Sequence, residues 1–172
     1  MKKILTFILY FIPVPVMVAI DQITKMLALN NLKDKPPVDI IPNVLQLVYL
    51  VNDGSAWGMF SGKQAFFIIL TIVLMIFLMY VLIRTPYERK YAGFRFIVEA
   101  LMAGALGNFI DRIANGYVHD FIYFKVIDFP VFNFADICIS LSMIALVIMI
   151  FFKFKDNDFA FLKIHRNKEK KD

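Results

Sequence analysis

The sequence predicts an all-α membrane protein of four transmembrane helices, N-in and C-in, with a small extracytoplasmic antiparallel β-sheet. Three observations predict it. Of 172 residues, 60% are hydrophobic and 16% aromatic, and the mean hydropathy of +0.68 lies above the range of soluble domains of this size. Four apolar runs approach the roughly 20 residues that cross a bilayer core of about 30 Å at about 1.5 Å per residue. The basic residues flank those runs instead of forming a patch, so the formal charge of +5 marks topology and no nucleic-acid partner is expected.

The expected spans are residues 4–29, 64–83, 94–113 and 134–152. Lys2 and Lys3 ahead of the first imitate a secretory signal, but the apolar stretch is longer than a signal core and no small-residue cleavage site follows, so an uncleaved span is expected. Pro13 and Pro15 within it call for a bend. The second span is free of charge between Lys63 and Arg84. Glu99, Asn108, Asp111 and Arg112 make the third the weakest by hydropathy. With the N-terminus inside, thirteen of the nineteen Lys and Arg fall on the cytoplasmic side: Lys2, Lys3, Arg84, Arg89, Lys90, Arg95 and seven within residues 153–171. The basic tail, 163–172, is expected to lie against anionic lipid.

Both outer connections carry strand signals. Residues 44–51 are rich in β-branched side chains and run into the turn Asn52-Asp53-Gly54, and residues 117–124 form a second short strand. Trp57, Phe60 and Tyr49 are expected at headgroup depth. Cys138, the single cysteine, excludes an intramolecular disulfide and a cysteine metal site, and reads as a small core filler.

Chemistry is concentrated at the outer ends of the spans, where Asp21, Lys25, Asn52, Asn108, Asp111, Arg112, Asp120, Asn133 and Asp136 gather. Asp21 and Lys25 are i, i+4, and Asn108, Asp111 and Arg112 are i, i+3 and i+4, so each group shares one helical face. Asp120 and Asp136 are the candidate catalytic pair. One ionised carboxylate can take a proton from water while a protonated partner donates to the carbonyl or leaving amine, and proximity lets the pair hold one proton near neutrality. The helix start at Asp136 favours its ionised form, which makes it the base and Asp120 the proton donor. No metal and no cofactor are needed.

Simpler readings stand beside these. Asn133 reads as an N-cap and Asp136 as a first-turn acid held by the helix dipole. Asp120 taken alone reads as a solvated strand residue. Asp111 with Arg112, and Asp21 with Lys25, read as ion pairs joining helix ends. His119 points to the opposite strand face from Asp120 and reads as a spectator. Small residues in the third span, Ala100, Gly104 and Asn108 on one line and Ala103, Gly107 and Asp111 on another, serve close helix packing.

Five ordered motifs then resemble the lipoprotein signal peptidases, or signal peptidase II. They are Asp21-Gln22-Ile23-Thr24-Lys25, Asn52-Asp53-Gly54-Ser55-Ala56-Trp57, Gly104-Ala105-Leu106-Gly107-Asn108-Phe109-Ile110-Asp111-Arg112, Val118-His119-Asp120-Phe121 and Phe132-Asn133-Phe134-Ala135-Asp136. Val51 and Ser55 depart from the family pattern without touching the aspartates. The resemblance implies a single membrane-embedded peptidase domain over residues 1–172 in the bacterial inner membrane, with its active site facing outward beneath a β-cradle. It implies a catalytic dyad of Asp120 and Asp136. Asn52, Gly54, Asn108, Arg112 and Asn133 would line or brace the site, with Asp21, Lys25 and Asp111 in support. The implied substrates are prolipoproteins carrying diacylglycerol on the cysteine that becomes the new N-terminus; membrane lipid is the other expected partner, and a monomer is expected.

A different class, a small ion- or proton-coupled membrane transport subunit, would also use intramembrane carboxylates. It calls for ionisable groups spread through the membrane depth, whereas these collect at the outer ends. Membrane aspartyl proteases of the Gly-x-Gly-Asp type are excluded, because the chain has no such tetrapeptide.

Overall fold

The computed structural model describes residues 10–54 and 63–162. Helices α1 (Pro13–Leu32), α2 (Gln64–Arg84), α3 (Ala92–Asn115) and α4 (Phe134–Phe152) are joined on one side by strands β1 (Val38–Ile41), β2 (Leu45–Asn52) and β3 (Val118–Phe124). Three segments among the described residues are long and apolar enough to cross a membrane: Gln64–Arg84, Arg89–Asn115 and Phe134–Phe152. Helix α1 is not one of them. Its described part carries Asp21, Gln22, Lys25, Asn30 and Asn31, and the apolar residues 4–9 that complete the expected span lie outside the described residues. Trp57 and Phe60 lie outside them too.

Local chemistry sets the ends. Pro13 and Pro15 fall in the first turn of α1, where N–H groups have no helical partner to lose. Tyr10 and Phe11 before them are helical and Ile12 is a turn with helical φ and ψ, so the helix is interrupted at the prolines, where the sequence calls for a bend. Helix α3 stops at Gly116, which takes φ 79° and donates its N–H to the Arg112 carbonyl, a left-handed cap that costs glycine no Cβ clash. That cap swings the chain straight into β3.

Helix α3 is the hub and packs against the other three. Its small residues permit this. A Cβ placed on Gly104 would lie 2.5 Å from the Ala135 carbonyl oxygen and 2.8 Å from Ile139, and one on Gly107 would run into the Asp21 carboxylate. The two small-residue lines thus seat α4 and α1 as the sequence pattern requires. Away from the hub, α2 and α4 turn apolar side chains outward, among them Ile69, Val73, Ile76, Leu141, Ile144 and Ile148. An outward apolar face suits a lipid solvent.

At the end away from the sheet, an apolar cluster holds the bundle: Leu78, Leu82, Phe94, Val98, Leu101 and Met149, closed by Phe154 stacked on Tyr91. Arg95, expected as a flanking charge, is buried there. It donates to the carbonyls of Leu82 and Thr85 and stacks over the Tyr87 ring, so it caps the end of α2. Cys138 is half-buried beside Gly104, as a filler should be.

The sheet is antiparallel in the order β1-β2-β3. Strand β1 is an addition to the two strands expected; it is short and exposed throughout, so it has no alternating pattern to read. A turn with Pro42 followed by Asn43 at φ 60° returns it to β2. Between β2 and β3, Leu50 faces Asp120 and Asn52 faces Val118. Asn52 and Asp120 are therefore diagonal neighbours on one face, within side-chain reach.

Gly104→Ala is expected to destabilise the fold by about 1–3 kcal/mol, because its methyl meets backbone that cannot move freely. Thermal unfolding in detergent checks this; an unchanged midpoint would mean that α3 and α4 are not in such close contact.

Candidate active site

The site begins with an ammonium group taken out of water. Lys25, 2% exposed, lies 2.8 Å from Asp21 Oδ2 and 3.1 Å from Asp111 Oδ2. Helical spacing supplies the first contact and the α1–α3 packing the second. Lys25 Nζ also donates to Asn108 Oδ1 at 2.9 Å. The expected pairing of Asp111 with Arg112 is thus corrected: Asp111 pairs with Lys25 on another helix and accepts the His119 backbone N–H at 3.2 Å. Gln22 joins the group by donating to Asp21, Asp111 and the Gly107 carbonyl.

Helix α4 starts against this cluster. Asn133 is its N-cap in a capping box: the Asn133 side chain accepts from the Asp136 N–H, and the Asp136 carboxylate accepts from the Asn133 N–H, both at 3.1 Å. Asp21 Oδ1 accepts from the Ala135 N–H at 2.9 Å, so a second orphan donor of the first turn is satisfied from α1. The N-cap reading of Asn133 and the first-turn reading of Asp136 both hold. They also serve the site, because the same groups reach the other aspartate.

Asn133, fully buried, sends its amide N–H groups to Asp120 Oδ1 at 2.6 Å and to Asn108 Oδ1 at 3.1 Å. Asn108 Nδ2 donates to Asp136 Oδ1 at 2.8 Å. Asn52 Nδ2 donates to Asp120 Oδ2 at 2.7 Å, and Asn52 Oδ1 in turn accepts the Gly54 N–H at 3.0 Å. Every oxygen of the two aspartates therefore has an N–H donor. Asp120 is 1% exposed, not the solvated strand residue it would be if read alone. Burial first, then the charge of Asp136, push its carboxyl up to about 7, against the opposing pull of Asn52, Asn133 and Lys25.

Both aspartates open on a cavity of about 660 Å³. Asn52, Gly54, Asn108 and Arg112 share its polar end, and Phe124, Ile127, Phe129, Ile137 and Leu141 line its apolar side. Arg112 donates to the Gly54 carbonyl at 3.0 Å and lies over the Phe67 ring at 4.7 Å, while its buried Nε has no partner among the described residues. Asn133, Asp21, Lys25 and Asp111 stand behind the wall. His119 faces away from the cavity, yet it is no idle surface residue: it is buried, with Nδ1 2.7 Å from the Tyr49 hydroxyl, and burial holds its pKa below the ordinary value.

Sequence reasoning missed Gln22, because a residue adjacent to Asp21 is off the Asp21–Lys25 face by helical period, although its amide reaches back. It also missed Phe67 and the apolar wall. Among the described residues no three His, Cys, Asp or Glu side chains are placed to hold a metal ion.

Apolar helices with outward apolar faces and a small sheet at one end mark a multi-pass membrane protein. Over residues 14–152 the chain matches the family described as signal peptidase (SPase) II. It is 42% identical over 151 residues to the lipoprotein signal peptidase of Lactococcus lactis subsp. lactis (strain IL1403), covering 87% of this chain and 95% of that one. With the lipoprotein signal peptidase of Staphylococcus aureus (strain JH9), identity is 37% over 171 residues, 95% of this chain and 96% of the relative. A solved structure described as a bacterial membrane enzyme, determined in meso at 2.3 Å, superposes with a TM-score of 0.74 at 35% identity, covering 97% of this chain and 93% of that one. A second of the same description, at 1.9 Å, gives 0.69 at 34% identity, with 87% and 94% covered. The chain belongs to the lipoprotein signal peptidase family, and it is a peptidase.

The raised Asp120 carboxyl makes stability depend on pH. The folded state holds this proton more tightly than the unfolded chain, so the contribution is full below the ordinary carboxylate range and is lost as pH rises through about 7. Between about pH 5 and pH 8, wild type should therefore lose thermal stability more steeply than Asp120→Asn. Parallel curves would show that Asp120 is not held protonated.

Proposed function

We propose that this protein is an aspartic endopeptidase that removes the signal peptide from diacylglyceryl-modified prolipoproteins, cutting just before the lipidated cysteine. One observation carries the reading: Asp120 and Asp136 border a single cavity, fully hydrogen-bonded, with one carboxyl pushed up to about 7. Family membership supports the substrate class.

Asp136, which borders the cavity and accepts from Asn108 and the Asn133 N–H, is assigned as the base. Asp120 holds the proton. In the reaction Asp136 takes a proton from water as the water oxygen attacks the scissile carbonyl, and the Asp120 proton passes to the carbonyl oxygen, giving a neutral gem-diol. As the C–N bond breaks, the proton on Asp136 goes to the departing amine. A hydroxyl proton of the gem-diol returns to Asp120 as the new carboxyl end forms. Arg112, at the cavity edge, offsets negative charge that develops on the way. The bond cleaved is the peptide bond alone, and one water is consumed.

The apolar wall of Phe124, Ile127, Phe129, Ile137 and Leu141 gives acyl chains and the signal helix a surface continuous with lipid. Acyl chains left in the bilayer, at about 0.8 kcal/mol per buried methylene, would hold the scissile bond at the depth of the aspartates. The accompanying topology is four spans with both termini in the cytoplasm of the bacterial inner membrane. The site then faces outward, where exported prolipoproteins arrive, with the basic tail on the cytoplasmic side.

Asp120→Asn and Asp136→Asn should each lower turnover of a lipidated prolipoprotein by about 10²-fold or more, at matched amounts of folded protein. Near wild-type turnover in either variant would remove the dyad.

A further inference from the structure

From the geometry we infer that Lys25 is a positioning residue for the peptidase reaction, acting through the side-chain amide of Asn108; the inference rests on the Asp120–Asp136 reading above. Lys25 does not border the cavity, yet it is one hydrogen bond away from a residue that does.

An asparagine amide has two faces of similar shape and opposite polarity, and only its neighbours decide which way it points. Asn108 Oδ1 receives Lys25 Nζ at 2.9 Å and Asn133 Nδ2 at 3.1 Å, which leaves Nδ2 to donate to Asp136 Oδ1 at 2.8 Å. Reversal would set an amide N–H against the ammonium and a carbonyl oxygen against the Asp136 carboxylate. Both contacts would be repulsive in a site with little water to relieve them. The ammonium, fixed by Asp21 and Asp111, thus locks the amide with its donor toward Asp136. The lock extends one step further. With Asn108 Oδ1 as acceptor, Asn133 must present Nδ2 to it, and the same Nδ2 donates to Asp120 Oδ1 at 2.6 Å, leaving Asn133 Oδ1 for the Asp136 N–H. The Asp136 N–H holds Asn133 in the same sense from the α4 cap, so the ammonium and the cap together set the direction of the amide donors that meet both aspartates.

A purely structural lysine would hold helices together and leave turnover per folded molecule alone, so the test separates the two. Lys25→Met with Asp111→Asn removes the ammonium while keeping the charge of the Asp21–Lys25–Asp111 group unchanged. The oxygen of the new amide at 111 can still accept the His119 N–H. Turnover of a lipidated prolipoprotein and thermal midpoint in detergent are measured for this pair, for Asp111→Asn alone, for Asn108→Ala, and for all three changes together. The expected result is a fall in kcat of about 10²-fold for Lys25→Met/Asp111→Asn beyond Asp111→Asn alone, with KM changed less than about twofold. The triple variant should be no slower than Asn108→Ala, because the two changes remove the same donor. Losses that multiply in the triple variant, or a kcat per folded molecule equal to that of Asp111→Asn, would overturn the inference. Should the Lys25 pair not fold, Lys25→Gln with Asp111→Asn decides instead. Its amide fills the same space and can hydrogen-bond Asp21 but has no fixed donor polarity to hold Asn108 one way, so kcat per folded molecule should fall below that of Asp111→Asn; kcat equal to that of Asp111→Asn would overturn the inference. Full turnover in Asp136→Asn would instead sink the dyad itself, whereas an inactive Asp136→Asn alongside multiplying losses sinks only the Lys25 assignment.

Discussion

Carboxylates taken out of water cost several kcal/mol each unless they are paired and hydrogen-bonded, and this fold gathers four of them at one end of the bundle. Asp21, Asp111 and Asp120 are buried and Asp136 is half-buried, around the single buried ammonium of Lys25. Even with the half-buried Arg112, two cations cannot balance four anions. The structure meets the excess with amide donors from Gln22, Asn52, Asn108 and Asn133, with backbone N–H groups of the α4 first turn, and with the raised pKa of Asp120. The same constraint that makes the site hard to bury pushes the Asp120 carboxyl up to about 7, and in the proposed mechanism its proton is the one a water-activating pair needs.

Helix packing follows from the same demand. Asp21 can reach the Ala135 N–H only because Gly107 offers no Cβ in its path, and α4 can approach α3 only because Gly104 offers none. The glycines are therefore as much a part of the site as the polar side chains. At the other end of the bundle bulky residues such as Phe94, Leu82 and Met149 fill the space, with the Lys90–Asp158 pair at its surface.

Much of this was legible in the sequence. The apolar run of α4 gave its bounds, residues 134–152, as the structure has them, and α2 and α3 were each placed within about two residues at either end, the usual uncertainty of helix boundaries. The polar residues at span ends marked the site, because lipid tolerates them only where they are used. What stayed hidden depended on three dimensions. The partner of Asp111 could not be chosen between adjacent Arg112 and distant Lys25, since helical period places both within reach of some face. Strand β1 had no alternation to show, and Gln22 acts from off the expected face by the length of its side chain. The apolar wall of the cavity uses residue types that occur everywhere in a membrane chain, so composition could not single it out.

The account turns on one proton shared by Asp120 and Asp136, and infrared difference spectroscopy of wild type against Asp120→Asn reads it directly. The account predicts the stretch of a protonated carboxyl that belongs to Asp120, present in wild type below neutrality, lost as pH passes about 7, and missing from the variant. If no such band separates the two proteins at any pH where the wild type turns over substrate, Asp120 is not the proton donor and the mechanism fails.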